Sequence, residues 1–279
     1  MLLLDTRPVL GIVLDGLGFG EDGTFWGGEF LQAGYTGFRR LACFQPVHMP
    51  GGSHAMREPW RNTLAHLLCA FGWEEVQQRH ADLDIVRFLE TKPLAGFQTM
   101  IGKGLNSPLA SSCGRLFDAV AAAIGVCRER VSHEGQAAIE LESLATAEFH
   151  HQAPHAYPFD RVAGEMMTLG WRRLWEALLG DIRQGVEPAV MAARFHQGVV
   201  QGVAHSASTL CDENGLDTVA LGGGVFQNRL LLEGVSAALG ESGLQVLSPE
   251  KVPASDGGLA LGQAAIAAAQ RVSPRAGAG

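Results

Sequence analysis

Several features that would settle the class of this chain at once are scarce or absent. Among 279 residues there are only five cysteines, Cys43, Cys69, Cys113, Cys127 and Cys211, scattered and never in a CxxC spacing. That argues against a disulfide scaffold and a thiolate zinc knuckle, and points to a reducing, cytoplasmic setting. No apolar run approaches the ~20 residues that span a bilayer, and the stretch from Met1 to Leu4 is cut by Asp5 and Arg7, too short for the core of a signal peptide. No membrane anchor is expected. Basic charge is in deficit, with 21 Lys and Arg against 29 Asp and Glu, so the net field of −8 repels a polyphosphate backbone and nucleic-acid binding by charge is not expected. The glycine-rich joint at 222–228 is neither GxxxxGK[ST] nor GxGxxG, so neither the P-loop nor the Rossmann mechanism applies there.

What is present is the composition of a folded protein: 47% hydrophobic, 18% charged and 7% aromatic, far from the signature of disorder. Glycine is abundant, at 36 residues, and clusters where the chain must turn. Residues 9–14 are an apolar run rich in branched side chains that leads into Gly16, Gly18, Gly20 and Gly23, a buried strand entering a glycine-dense hairpin. Residues 24–30 and 35–44 follow after short links, which join antiparallel neighbours, so a three-stranded meander is expected.

Past Gly52 the period changes. Trp60, Leu64, Leu67, Leu68 and Phe71 share one helical face, as do Leu116, Val120 and Ile124, and again Met191, Phe195, Val199 and Val203. Strand patterns return at 218–221 and 244–247, each followed by a helical stretch, 227–241 and 257–270, which predicts β-α-β-α with parallel pairing. Together these predict an α/β fold, a ribonuclease-H-like lobe over residues 1–272 with a helical insertion at about 75–190. Residues 273–279 read as a frayed, disordered tail. Two such lobes make the actin-like ATPase superfold; strands for one are legible here, so the partner lobe is expected to be missing and its absence to favour self-association through exposed apolar surface.

Three glycine-rich joints and one helix start could carry chemistry. Asp15, at the end of the first apolar strand and followed by glycines, suits a phosphate or metal contact, or else simply caps a turn. Gly223 and Gly224 lie in the strand-to-helix joint Gly222-Gly223-Gly224-Val225-Phe226-Gln227-Asn228, where free amides and a helix dipole make an anion site, unless the glycines only permit close packing. Ser255 or Asp256 would be an N-cap, or Asp256 a metal ligand across from Asp15. Ser111 and Ser112 could cap a helix that begins near Gly114, with Asp118 and the downstream Glu134 either solvated or holding a ribose. Cys113 has no base at a telling spacing. His151 and His155 are spaced as a helical metal pair, but Pro154 breaks that geometry. His196 beside Phe195 reads as a packed histidine.

The segments GIVLDGLGFGEDGTFWGGEFL, PGGSHAMREPWR, SSCGRLFDAVAA, EGQAAIELE, LGGGVFQNRLLL and SDGGLALGQAAIA together resemble the C-terminal part of the HypF family, the carbamoyltransferases of nickel-iron hydrogenase maturation, over residues 9–268. The resemblance implies an actin-like domain akin to the transferases that place threonylcarbamoyl on tRNA. It implies transfer of carbamoyl from carbamoyladenylate, made from ATP, to the C-terminal cysteine of a HypE-like partner, where the group becomes a cyanide ligand. It also implies a divalent metal, iron or zinc, on Asp15 and Asp256, nucleotide contacts at Gly223, Gly224 and Asn228, and a less direct set at Gly114, Asp118 and Glu134. The family's two histidine ligands lie upstream of the position of Asp15, where this sequence has no counterpart, so the N-terminal portion of HypF is a further expected partner. Gly222, Ser255 and His133 stand where the family usually has serine, asparagine and tyrosine. A truncated, non-catalytic nucleotide- or partner-binding module is the alternative reading.

Overall fold

Side chains alternate along the first apolar run: Leu10, Ile12 and Leu14 are fully buried, whereas Val9, Gly11 and Val13 on the opposite face are half-buried. They belong to β1 (Val9–Phe19), at the centre of the sheet in the computed structural model, which describes residues 7–272 apart from 163 and 165. In the turn that follows, Asp22 Oδ1 accepts from the amide and hydroxyl of Thr24 and from the Trp26 indole N–H. The chain then returns as β2 (Phe25–Gly34) and β3 (Gly37–Phe44), each antiparallel to the strand before it. This is the expected meander, although β1 runs on to Phe19 rather than ending at Leu14, because glycines at 16 and 18 let the strand bulge and continue.

A two-residue β4 (Val47–His48) leads into α1 (His54–Arg57), α2 (Trp60–Ala70), α3 (Trp73–His80), α4 (Asp84–Glu90) and α5 (Leu94–Gly102). Next come β5 (Leu109–Ala110), α6 (Cys113–Ala123) and α7 (Gln136–Ala145). Trp60, Leu64 and Leu67 of α2 and Leu116 and Val120 of α6 are buried where these two helices pack together, and α6 in turn covers β1. Then β6 (Asp160–Val162), β7 (Met167–Gly170) and α8 (Arg172–Arg183) precede the long α9 (Pro188–Asn214). Proline at the first helical position and left-handed Gly215 at the C-cap set the ends of α9. The chain closes with β8 (Thr218–Gly222), α10 (Arg229–Glu241), β9 (Gln245–Leu247) and α11 (Leu259–Val272).

The sheet runs β6-β7-β3-β2-β1-β8-β9, with β8 parallel to β1 and β9 parallel to β8. An antiparallel meander extended by parallel strands is the ribonuclease-H-like order, and the described residues form one such lobe. The stretch at 75–190 differs from a purely helical insertion. It supplies β5, β6 and β7, with β7 parallel to β3 at the sheet's edge, and its helix α6 lies directly on β1. Strands of two to four residues carry too few positions for an alternation to be read. The tail at 273–279 lies outside the described residues. Among its described side chains helix α11 buries only Ala269, and it leaves Leu259, Leu261 and Ile266 exposed, as is Leu247 of β9. No described helix is long and apolar enough to cross a membrane.

Candidate functional site

The ladder between β1 and β2 slips beyond Leu14. Leu14 pairs with Gly28 and Gly18 with Trp26, so residues 15–17 stand against Gly27 alone, and the bulge turns Asp15 out of the ladder. Gly27 has to be glycine, since a Cβ there would lie 2.6 Å from the Asp15 carbonyl oxygen. Asp15 Oδ1 accepts from the Gly16 amide at 2.8 Å and from the Gly224 amide at 3.2 Å, tying the bulge to the loop after β8. In that loop Gly223, at φ +96°, donates its N–H to the Ala254 carbonyl at 2.8 Å, and any Cβ on it would run into the backbone of Leu14.

The end of β1, the glycine loop and the segment before α11 therefore cross at one point. Both glycine amides are taken by protein acceptors there, so the anion role expected of them does not fit their hydrogen bonds. A 3₁₀ turn, Gly224–Gln227, also separates the glycines from α10, which begins at Arg229 under an Asn228 cap. The Ser255 side chain caps nothing, and the Asp256 carboxylate has no hydrogen-bond partner among the described residues.

Asn228 is held at both ends of its amide. Its Oδ1 accepts from the Leu231 amide at 3.1 Å, and its Nδ2 donates to His196 Nε2 at 3.0 Å. The other ring nitrogen of His196 faces the Ala192 carbonyl at 2.8 Å, so these partners require the neutral ring with its proton on Nδ1. Burial pushes the His196 pKa down to about 4, which keeps it in that form. The packed histidine thus sets the orientation of the amide.

From the other side, α6 presses its first turn onto the bulge. Ser112 accepts from the Arg115 amide at 3.0 Å as N-cap and donates to the Gly16 carbonyl. A Cβ on Gly114 would lie 2.9 Å from Gly16 Cα. One turn on, Arg115 Nη1 stands 3.0 Å from Asp118 Oδ2, with both side chains about 5% exposed. The charges are close, but the angle makes no hydrogen bond: Arg115 Nε and Nη1 and Asp118 Oδ2 are buried without a partner. Burial pushes the Asp118 carboxyl up to about 6; Arg115 pulls the other way, and Glu134 adds to the rise. The Cys113 thiol, fully buried at the start of α6, is pushed up chiefly by desolvation and further by Asp15, so it is no nucleophile.

These elements enclose a cavity of about 480 Å³ whose walls include Asp15, Gly114, Asp118, Glu134, Gly224, Asn228 and Asp256. Of the residues that the family resemblance marks for metal and nucleotide, all but Gly223 line it, and Gly223 sits behind, against Leu14; Ser111, Ser112, Cys113, His151, His155 and His196 are not in the lining. Two charged lining residues were not singled out by the sequence: Glu142, which accepts from the Arg229 amide at 2.7 Å, and Arg115, the only basic residue among the described residues of the lining. A charged pair three residues apart inside an otherwise apolar helix was the available signal for Arg115. Among the described residues no group of three or more His, Cys, Asp or Glu could hold a metal ion. Asp15 and Asp256 share the cavity but fall short of a ligand set, and Oδ1 of Asp15 already serves two amides.

Residues 11–263 match the family profile described as "Carbamoyltransferase, Kae1-like Domain, second subdomain". The chain belongs to the HypF carbamoyltransferase family. It is 39% identical to carbamoyltransferase HypF of Rhodobacter capsulatus, over 95% of this chain and 33% of that protein. It is 40% identical to a carbamoyltransferase HypF homolog of Cupriavidus necator, over 95% of this chain and 66% of that one. The crystal structure of full-length HypF in the phosphate- and nucleotide-bound form superposes with a TM-score of 0.83 at 34% identity, covering 96% of this chain and 34% of that chain. The HypF family thus accounts for the lobe, and this chain spans between a third and two thirds of the length of these relatives.

Proposed function

We propose that this HypF-type lobe binds a carbamoyladenylate and takes part in passing its carbamoyl group to a cysteine thiolate of a HypE-like partner protein. The observation that carries the reading is the single cavity where the β1 bulge, the glycine loop, the first turn of α6 and the segment before α11 meet. Its size suits a nucleotide, and the related structure in a phosphate- and nucleotide-bound form supports that ligand class. In the transfer, the partner's sulfur forms a bond to the carbamoyl carbon, the bond from that carbon to the phosphate oxygen breaks, and AMP departs with the electron pair, leaving a thiocarbamate. A nucleophile brought by the partner accounts for the inert Cys113. In this reading Glu134, at the cavity's mouth, accepts from a ribose hydroxyl, and the His196–Asn228 pair offers a fixed amide. No step is assigned to a metal.

The test supplies carbamoyladenylate, the remaining portion of a full-length relative and an acceptor peptide ending in cysteine, and measures thiocarbamate by mass spectrometry. Product from the wild type and at least a tenfold loss in Asp15→Ala, of the order expected when a positioning group is removed, is the expected result. Nucleotide binding without product would leave a binding module in its place. No product together with no nucleotide binding would reject the reading.

A further inference from the structure

The guanidinium of Arg115 lies at the wall of the cavity with its hydrogen bonds unmade. It is buried at 5% exposure, Nε and Nη1 have no acceptor, and its one contact with a charge is the misaligned Asp118 carboxyl. Its Nη2 reaches toward Gly16, where a Cβ would lie 3.9 Å from that nitrogen and 3.6 Å from Glu134 Oε1. On its other side a void of about 10 Å³, shared with Ser112, Asn62 and His66, has room for one water. A guanidinium offers five N–H donors in a planar fork matched to phosphate, and burying those donors without acceptors is unfavourable. The glycine amides that might have met an anion are already bonded to Ala254 and Asp15.

We propose that Arg115 is the anion receiver of this cavity, taking a phosphoryl oxygen of a nucleoside phosphate through Nη2, the end of the guanidinium that is not sealed within the wall. The inference rests on the nucleotide reading above and assigns the phosphate to a side chain that neither the sequence motifs nor the family resemblance had marked.

Calorimetry with AMP and with adenosine tests it, because adenosine lacks only the phosphate. Wild type should prefer AMP by about ten- to a hundredfold, the range for hydrogen bonds to a charged group. Arg115→Gln should abolish that preference, and Arg115→Lys should keep part of it. Should Arg115→Gln fail to fold because Asp118 is left unpaired, the double variant Arg115→Gln/Asp118→Asn removes the stranded carboxylate, and its AMP-to-adenosine ratio is read instead. A double variant still lacking the preference supports the assignment. Recovery of the preference in the double variant would mean that Arg115 only neutralises Asp118, which overturns it. Equal binding of both ligands by wild type overturns it while leaving the nucleotide reading standing, and binding of neither removes both.

Discussion

Asp118→Asn should change how the stability of this protein depends on pH, and the buried pair with Arg115 sets the size of the effect. Burial raises the Asp118 carboxyl from an ordinary 3.8 to about 6, against the pull of Arg115 and with a further push from Glu134. The native state therefore holds this proton more tightly than the unfolded chain does. Between pH 4 and pH 6 more protons are bound in the native than in the unfolded state, so stability falls as pH rises. The contribution of this carboxyl is complete below pH 4 and lost above pH 6, and at 1.36 kcal/mol per pH unit the rise is worth about 3 kcal/mol.

Asparagine has the same shape and no proton to titrate. Arg115 stays charged across this range, so removing its counter-ion adds an offset that does not vary with pH. Urea unfolding followed by tryptophan fluorescence at pH 4, 5, 6 and 7 should show the stability of wild type relative to Asp118→Asn declining by about 3 kcal/mol from the lowest pH to the highest. A difference that stays constant within ~0.5 kcal/mol, the scatter of ordinary surface effects, would show Asp118 titrating like a solvated carboxylate and would refute its burial against Arg115.

Two substitutions test the framework beneath the site. Glu29 is buried in β2, where Arg40 holds it at 2.6 Å and the Ser111 hydroxyl also donates to it; Arg40→Ala strands that charge and should cost about 3 kcal/mol in urea unfolding. Arg39→Ala, whose exposed guanidinium bonds only Gln32 and Asn214, should change stability by less than about 0.5 kcal/mol, and equal losses from the two would contradict the buried pairing. Gly223→Ala combines a backbone conformation open essentially to glycine with a collision against Leu14, and should cost at least about 3 kcal/mol. Gly185→Ala, at φ +69° with open space around it, should cost about 1 kcal/mol; a similar loss at both positions would mean that Gly223 does not touch β1.

The framework was legible because each long element carries its own local signal. The continuous apolar, branched run at 9–14 gave β1, and i, i+4, i+7 spacing gave α2, α6 and α9. The edge hairpin β6–β7 was hidden, since three- and four-residue strands next to a proline and a glycine have no period to display and are defined by the pairing of β7 with β3 and of β6 with β7. The bulge at residues 15–17 was hidden for a related reason. Glycines announce that a backbone can bend, while the register of β1 against β2 depends on Gly27 and Ser112, far away in the chain. The same distance effect misled the reading of Gly223 and Gly224, whose amides look free in sequence and are bonded to Ala254 and Asp15 in the fold.

The charge pattern inside the cavity orders it in depth. Five carboxyl groups and one guanidinium line it, an arrangement that by count alone would repel a nucleotide. Three of the five are already engaged: Asp15 holds the Gly16 and Gly224 amides, Glu142 holds the Arg229 amide, and Asp118 lies against Arg115 with its ionisation opposed by burial. Glu134 and Asp256 are exposed at the rim. Negative charge is thus concentrated at the mouth, and the buried wall near Arg115 holds the unfilled donors. A ligand with an anionic end and a hydroxyl-bearing end has one favourable orientation in such a cavity, phosphate inward toward Arg115 and hydroxyls outward against the rim carboxylates.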